Sequence, residues 1–415
     1  MAVPLLSRKG LLVKEAPLAG VRVLDLSQFI AGPFCTKVMG TFGAEVIKIE
    51  RPLVGDIARR HGPFPGDTPN GEKSGLFLHL NTNKKSVTTD LRLAAGRGIL
   101  LELLDGVSIL VESFRPGVME RLGLGYDALS KRAPGLVMVS ISNFGQTGPY
   151  KDYLSSEAIT YATGGPMHAT GFPDREPLKL GGHIIQCQAG ASAALAALLS
   201  YYGSLVFGQG DHIDISLFET QAASQDRRTT QLIGYQYTGE TVARRPAGTM
   251  VGQGIRPCKD GYINITGGHR FDELVKMIGR EEAHQDPRFA TPEERAKLRR
   301  ADEFDIYYYL PWLLEHSMGE VWAIAQANHL PGGPIYTVKD LMEDPFFRAR
   351  GAWQEIDHPK AGKLVYAGPP FRVSGSPGPD WTPAPLLGQH NREVLCGRLG
   401  LSSAELARLR QMKVV

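Results

Sequence analysis

Short apolar runs alternate with helix-length segments through the first half of the chain. Residues 18–27 predict a turn followed by a short strand, and residues 44–50 predict a second strand. Between them, Ala31-Gly32-Pro33 opens a helix predicted from about Phe34 to Phe42, and Gly43 ends it. A strand, a glycine-containing turn, a helix and a strand form a βαβ unit, so we expect a parallel strand pair with a right-handed crossover.

The same alternation continues to about residue 216. The further strands that it predicts are 86–90, 107–112, 136–141 and 212–216, and the further helices are 95–104 and 189–202. Strands that alternate with helices indicate an open α/β sheet. After residue 235 the pattern changes to a connection, a strand within residues 259–265, charged helical residues 286–327 and a proline-rich stretch, 369–385. This change predicts a second, smaller domain.

Composition and charge narrow the class of protein. A chain of 415 residues is too long for a typical single core, and its 42% hydrophobic and 21% charged content is that of a globular protein. The net charge of +3 is spread along the chain, so we expect no nucleic-acid partner. The four cysteines are far apart and form no CxxC pair, which predicts neither a metal site nor a disulfide framework. A reducing cytoplasm is the simplest compartment.

One segment has to be weighed as a membrane span. Residues 180–210 contain no Asp, Glu, Lys or Arg. They are, however, rich in alanine, serine and glycine, and Gly203 interrupts them, whereas a bilayer span needs about 20 more strongly apolar residues. Residues 1–14 lack the features of a signal peptide. We therefore predict a buried helix and no membrane partner.

Six separated motifs give the chain a resemblance to a known family. They are Leu24-Asp25-Leu26 with Ala31-Gly32-Pro33, residues 43–52 (GAEVIKIERP), 83–86 (NKKS), 111–118 (VESFRPGV), 145–149 (GQTGP) and 384–390 (APLLGQH). From about residue 17 to residue 415 the chain resembles the family III CoA-transferases. The resemblance implies an α/β fold with a Rossmann-like large domain and a smaller α+β domain, in which two chains form a dimer of interlocked rings.

The resemblance also implies domain boundaries and a site for coenzyme A (CoA). The large domain would be residues 1–220, followed by a linker, 221–255, the small domain, 256–345, and a return segment, 346–415, that completes the large domain. The implied CoA contacts are Gln28, Phe29, Ile30, Ala31, Arg51, Lys84, Lys85, Phe114 and Arg121. Arginine, lysine and backbone N–H groups are the donors that CoA phosphates need. CoA would be a substrate carrier, with no further cofactor and no metal.

The chain departs from the family at the nucleophile. The family turn is roughly Asp-x-x-(Ala/Ser)-Gly, and here residues 186–190 are Gln-Cys-Gln-Ala-Gly. An amide cannot attack a thioester as an ionised carboxylate does, so we expect no catalytic residue at Gln186. Glu157 falls where relatives carry an acid beside the active site, and it is the pocket acid that we consider first. The neighbouring Cys187 is expected to be a buried, inert thiol.

Two further family features are altered. The related acyl-CoA racemases use a His/Asp pair where this chain has Ser156 and Gln186, which disfavours proton exchange. The family's glycine-rich flap corresponds to residues 248–254, which fit a mobile loop and an ordinary linker equally well.

Three hypotheses of function remain open. The first is a non-catalytic subunit that pairs with a paralogous catalytic CoA-transferase subunit, as in the succinyl-CoA:(R)-benzylsuccinate CoA-transferases of anaerobic toluene degradation, which this chain resembles. Its substrates would be an acyl-CoA and a carboxylic acid, namely succinyl-CoA and benzylsuccinate. The second is a self-sufficient homodimeric transferase or lyase that uses another group, with Glu157 as the candidate. The third is a non-enzymatic CoA-binding scaffold.

Overall fold

The computed structural model describes residues 15–222, 227–241, 244, 250–267, 269–297, 299–374, 376 and 378–415. The chain divides into two units. The large unit comprises Met1–His168, Lys179–Thr241 and Gly351–Val415, and the small unit comprises Ala169–Leu178 and Val242–Arg350. The sequence assigned residues 169–178 to the large domain, whereas the structure groups them with the small unit. Arg244 fixes this segment, because its guanidinium donates to the carbonyl oxygens of Phe172 and Arg175 at 2.9 and 3.0 Å.

The large unit is built on a parallel sheet of six strands. They are β1 (Arg22–Asp25), β2 (Glu45–Glu50), β3 (Lys84–Thr88), β4 (Ile109–Glu112), β5 (Val137–Ser142) and β6 (His212–Ser216). Their order is β3-β2-β1-β4-β5-β6, and every neighbouring pair is parallel. The predicted open α/β sheet is therefore confirmed.

Helices cover both faces of this sheet. The helices of the first half are α1 (Ala31–Thr41), α2 (Gly75–Leu80), α3 (Ala94–Leu103), α4 (Val118–Arg121), α5 (Tyr126–Arg132), α6 (Glu157–Thr163), α7 (Ile184–Phe207), α8 (Leu217–Ala222) and α9 (Arg227–Thr238). Alternate strand residues enter opposite cores. Leu24 and Ile47 pack with α3 on one face, and Val23 and Val46 pack with α1 and α7 on the other. Burial on both faces agrees with the apolar residues that predominate in β4 and β5, whereas β2 and β3 also bury the charged side chains of Lys48, Glu50 and Lys84.

Helix α7 differs from its prediction on one face. Its small residues Ala189, Ala193 and Ala197 are buried against the sheet and α1, but Leu199 is 65% exposed and Phe207 is 83% exposed. The expectation of a buried helix is thus correct for one face only, since the alanines allow close packing while the larger residues point away. Among the residues that the structure describes, α7 alone has the length and apolar composition to cross a membrane.

The small unit is an antiparallel sheet with helices. Its elements are β7 (Gln253–Cys258), β8 (Gly261–Thr266), α10 (Phe271–Ile278), α11 (Pro292–Arg295), α12 (Arg300–Phe304), α13 (Leu310–Glu315), α14 (Met318–Ala327), β9 (Gly332–Pro334), α15 (Val338–Glu343) and α16 (Pro345–Ala349). Strand β8 pairs with both β7 and β9. This architecture confirms the predicted smaller α+β region. Of the predicted flap, Gly248 and Thr249 lie outside the described residues, and residues 250–252 form a turn before β7.

Residues 351–415 return to the large unit. They contain the antiparallel hairpin β10 (Trp353–His358) and β11 (Gly362–Ala367) and the helix α17 (Ser403–Gln411). The Asn391 side chain accepts from the Thr88 N–H at 2.8 Å and donates to the Thr88 hydroxyl at 2.7 Å. The Val414 carbonyl accepts from the Asp90 N–H at 2.8 Å. The return segment therefore satisfies the backbone at the edge of the sheet formed by β3.

Candidate active site

The strand order opens a crevice between β1 and β4. From β1 the chain proceeds outward to β2 and β3, and it then returns to β4 and proceeds outward on the other side. The connections that follow β1 and β4 therefore leave in opposite directions, and ligands bind at such a switch point beyond the carboxyl ends of the strands. Gln28 follows β1 and Ser113 follows β4, so both lie at this crevice.

The loop after β1 is fixed in an uncommon conformation. The Gln28 N–H donates to the Ser113 hydroxyl at 2.9 Å, and the Phe29 N–H donates to Asp56 Oδ1 at 3.0 Å. Phe29 has a φ of 71°, which few residues other than glycine adopt. Its ring lies between those of His61 and His183, with centroids 5.0 and 5.4 Å away. These contacts define the loop's shape before helix α1 begins at Ala31.

A buried charge network lies beneath this loop. Lys48 Nζ donates to the Ser27 carbonyl at 2.9 Å and is 2.7 Å from Asp56 Oδ2 and 3.6 Å from Asp25 Oδ2. These three charged side chains are fully buried. Despite the burial, the pKa of Asp25 is held well below its usual range, with Lys48 and Lys84 as its cationic neighbours. The pKa of Lys48 is correspondingly raised by Asp25 and Asp56.

The two lysines predicted to contact CoA lie in different surroundings. Lys84 is buried, and its ammonium donates to Asp25, to the Pro33 carbonyl and to Asn81 at 2.9–3.0 Å. These acceptors occupy its three N–H groups. Lys85 is 34% exposed, but it forms ion pairs with two carboxylates, Glu45 and Glu393. The structure therefore places neither ammonium in the crevice.

A cavity of about 490 Å³ collects most of the other predicted residues. Gln28, Phe29, Ala31, Phe114 and Arg121 line it, and so does Gln186. Ile30 precedes α1 and is buried beside them. Two cations that the sequence analysis missed, Arg115 and Lys151, also line this cavity and give it a positive character with Arg121. We refer to it as the Gln186 cavity.

A second, smaller cavity adjoins the first. Its volume is about 240 Å³, and it shares Gln28 and Phe114 with the Gln186 cavity. Arg51 lines it, as predicted from the family pattern, together with Asp90 and Arg92. Sequence reasoning missed Arg92, which lies just beyond β3 and comes near Arg51 through the pairing of β2 with β3. Its Nε donates to Asp90 Oδ1 at 2.9 Å, which orients the guanidinium.

The start of helix α7 presents Gln186 and contacts Glu157. Gln186 belongs to the first turn of α7, and the preceding Ile185 N–H donates to Glu157 Oε1 at 2.8 Å. Glu157 itself begins helix α6, where the Ser156 hydroxyl accepts from a backbone N–H. Glu157 Oε2 is buried and has no hydrogen-bond partner among the described residues. The acid is therefore adjacent to the nucleophile position but does not line the Gln186 cavity.

Two further groups, Cys187 on α7 and Glu112 at the end of β4, have shifted pKa values. Burial raises the pKa of the Cys187 thiol, and the negative charge of Glu157 raises it further, so the reactive thiolate is disfavoured. Burial also raises the pKa of Glu112 to about 7. Glu112 Oε2 accepts from the Phe114 N–H at 2.7 Å and thereby supports the loop after β4.

Comparisons with known proteins agree with this arrangement. The model of "CoA-transferase family III" matches residues 18–391. The succinyl-CoA–D-citramalate CoA-transferase of Chloroflexus aurantiacus is 37% identical, over 96% of this chain and 98% of its own. The formyl-CoA:oxalate CoA-transferase of Bradyrhizobium diazoefficiens is 34% identical over 94% and 95%, and the succinyl-CoA:glutarate CoA-transferase of Mus musculus is 34% identical over 91% and 86%.

A solved structure extends the comparison to the fold. A CaiB/BaiF family protein from Brucella suis superposes with a TM-score of 0.81 at 28% identity, covering 92% of this chain and all of the other. Both the large parallel sheet and the smaller antiparallel region are thus those of a known family. The chain belongs to the family III CoA-transferases.

Proposed function

We propose that this chain is the non-catalytic subunit of a heteromeric CoA-transferase and pairs with a paralogous subunit that retains the nucleophilic aspartate. The family moves CoA between acyl-CoA and acid substrates. The observation that carries the proposal is the position of Gln186, an amide in the cavity that also contains the loop after β1. The cavity with its cations Arg115, Arg121 and Lys151 supports CoA binding, and the amide at position 186 supports the absence of the step that starts the chemistry.

The chemistry explains why an amide fails at this position. In the family reaction a carboxylate attacks the thioester carbonyl, the C–S bond breaks, and CoA leaves as the thiolate with an anhydride formed. The thiolate then attacks the enzyme acyl carbon of the anhydride, which releases the donor carboxylate and leaves an enzyme-bound CoA thioester. The acceptor carboxylate attacks this thioester and expels the CoA thiolate, and the thiolate attacks the acceptor carbonyl of the second anhydride, which forms the product thioester and frees the enzyme carboxylate. The carboxamide of Gln186 is neutral and a poor nucleophile, so no acyl group can be transferred to it.

CoA binding does not require the missing carboxylate. Arg51 and Arg92 in the smaller cavity and Arg121 in the Gln186 cavity supply cations on both sides of the shared residues Gln28 and Phe114. We infer that the phosphates lie near Arg51 and Arg92 and that the thioester end points toward Gln186. Charge-assisted hydrogen bonds to phosphate are among the strong ones in proteins.

We propose succinyl-CoA as the donor and (R)-benzylsuccinate as the acceptor, in the cytoplasm, with the two paralogous chains assembled as interlocked rings. Three relatives act on succinyl-CoA or formyl-CoA with citramalate, oxalate or glutarate by name. All of these acceptors are dicarboxylic acids, which supports the class. The choice of an acceptor with a benzyl group is supported by the subfamily resemblance.

The first experiment measures CoA transfer from succinyl-CoA to benzylsuccinate, with the CoA esters separated by chromatography. The chain is assayed alone and after co-expression with its paralogue. Activity of the pair, with none from this chain alone, is expected. If the lone chain turns over, the proposal of a non-catalytic subunit is wrong. If neither preparation turns over but acyl-CoA binds tightly, the chain is a CoA-binding scaffold.

Gln186→Asp tests the role of the cavity directly. We expect this variant to form a covalent adduct with succinyl-CoA, either the succinyl anhydride or the enzyme-bound CoA thioester, detected by mass spectrometry of the protein. The matched control is Gln188→Asp, which adds the same carboxylate two residues along α7, where Gln188 Oε1 accepts from the Gln221 side chain at 3.0 Å. Capture by both variants, or by neither while CoA still binds, would contradict the assignment of residue 186.

A second candidate function rests on Glu157. Its Oε2 atom is buried without a hydrogen-bond partner in the part of the chain that the structure describes, so it is free to accept a hydrogen bond from a ligand. A self-sufficient transferase that uses this acid would lose its turnover in Glu157→Gln. This function is selected only if the unmodified chain alone transfers CoA and that variant does not.

A further inference from the structure

A third cavity in the large unit is lined almost entirely by apolar groups. It lies between helix α1, helix α7 and the segment after β11, and its volume is about 480 Å³. Its walls include Phe34, Val38, Leu195, Leu198, Phe371 and Trp381. We call it the apolar groove. No residue that lines it also lines the Gln186 cavity.

The apolar groove contains one ammonium group. Lys37 lines it and is only 8% exposed, and its Nζ lies 3.3 Å from Nδ1 of His79, which also lines the groove. Burial lowers the pKa of Lys37 to about 8, and the nearby Lys84 contributes to the shift. Burial lowers the pKa of His79 to about 4, so this imidazole is neutral near pH 7. Lys37 therefore remains mostly charged, with a neutral partner.

Lys37 lacks a counter-ion within the described structure. The charged or titratable groups that act on it are Lys84, Cys187 and His79, and none of them is a carboxylate. Asp25, the buried acid that pairs with Lys84, is also bound to Lys48. A buried cation is costly without an opposite charge, and the cost disappears when a ligand supplies that charge.

We propose that the apolar groove binds an apolar monocarboxylic acid, with its carboxylate paired to Lys37 and its hydrocarbon or aryl part against Phe34, Leu198 and Trp381. The volume falls in the range of small-molecule sites, about 300–1,000 Å³, and such sites combine apolar walls with a few polar groups. A single cation favours one carboxylate over a dicarboxylate or a phosphate ester. This proposal concerns a different cavity from the proposed function and does not rest on it.

The test uses 4-phenylbutyrate as the probe and the full chain as the protein, with binding followed by titration calorimetry. We expect saturable binding of one molecule per chain. The uncharged 4-phenylbutyramide and the tail-less succinate are expected to bind at least tenfold more weakly. The absence of saturable binding, or equal binding of the amide, would overturn the proposal. Displacement of the probe by CoA would also overturn it, because the probe would then lie in the Gln186 cavity.

Two variants separate charge from shape. Lys37→Met removes the charge at nearly constant length and is expected to weaken binding at least tenfold, whereas Lys339→Met, at an exposed lysine of α15, leaves it unchanged. Leu198→Trp fills the groove and should abolish binding while Lys37 remains. Lys37→Met should melt at an unchanged or higher temperature, because it no longer buries a cation. Probe binding that survives both groove variants would assign the probe elsewhere.

Discussion

Replacing Lys48 with methionine should destabilise the large unit strongly. The change removes a fully buried ammonium that lies 2.7 Å from Asp56 and 3.6 Å from Asp25. Asp25 keeps a second cation, Lys84, at 3.0 Å. Within the described part of the chain, the hydrogen bonds left to the Asp56 carboxylate come from the N–H groups of Phe29 and Ala58, at 3.0 and 2.7 Å. Leaving one buried charge without its partner costs about 3–5 kcal/mol, so we expect a loss of about 4 kcal/mol.

The assay is urea unfolding, with the free energy of unfolding extrapolated to water. A double variant, Lys48→Met with Asp56→Asn, removes both charges and should recover at least half of the loss, because no carboxylate is then left unpaired. Lys85→Met is the control. That lysine is partly exposed in its ion pairs, so its loss should be below about 1 kcal/mol. A Lys48→Met variant within about 1 kcal/mol of the unmodified protein would refute the reasoning, as would a double variant no more stable than Lys48→Met.

Three further predictions concern the packing, titration and ligand contacts of the same unit. A Cβ at Gly190 would lie 2.4 Å from the Ala31 carbonyl oxygen, so Gly190→Ala should lower the free energy of unfolding in urea by about 1–3 kcal/mol. A Cβ at Gly203, on the same helix, would meet nothing within 4 Å, so Gly203→Ala should raise this free energy by about 0.5–1 kcal/mol. The pKa of Glu112 rises from 4.5 to about 7 on folding, so its contribution to stability is full below about pH 4.5 and is lost as the pH rises through 7. In a series of unfolding curves, the free energy of unfolding should decline by about 3 kcal/mol over this range. Glu112→Gln should remove this decline, and an unchanged decline would contradict the assignment. The family resemblance assigns Arg51, which lines the smaller cavity, to the phosphate on the adenosine of CoA. Arg51→Met should therefore weaken CoA binding about tenfold or more in calorimetry but leave the binding of dephospho-CoA, which lacks that phosphate, unchanged; equal losses for both ligands would contradict the assignment.

The sheet could be predicted from the sequence because most of its strands are buried on both faces and are rich in valine, isoleucine, leucine and methionine. The helix-length segments between the strands indicate the parallel crossovers. The site could be predicted only in part. Resemblance supplied Gln28, Phe114 and Gln186, which the structure brings together in one cavity. Arg92 was missed because its proximity to Arg51 depends on the pairing of β2 with β3, which no local pattern reports.

The roles of Lys84, Lys85 and helix α7 were harder to predict, because they depend on which face of an element each side chain occupies. Lys84 and Lys85 are adjacent in sequence but point to opposite faces of β3, so one is enclosed by Asp25 and the other is partly exposed. Composition cannot show which face of α7 meets the sheet, since alanine and leucine count equally as apolar. Periodicity of small against large residues would have separated the face of Ala189 and Ala193 from that of Leu199.

The return segment affects how the protein is made. Val394, Leu395 and Val414 complete the core beneath Leu24 and Ile47, yet they are translated about 200 residues after the last strand of that sheet. At about 5–20 residues per second, a ribosome needs about 10–40 s to cover this interval. During that time the part of this core that Val394, Leu395 and Val414 cover in the folded protein remains exposed beside α3, and the small unit, which ends at Arg350, is completed before them. Nascent chains of this protein should therefore depend on chaperones until translation ends.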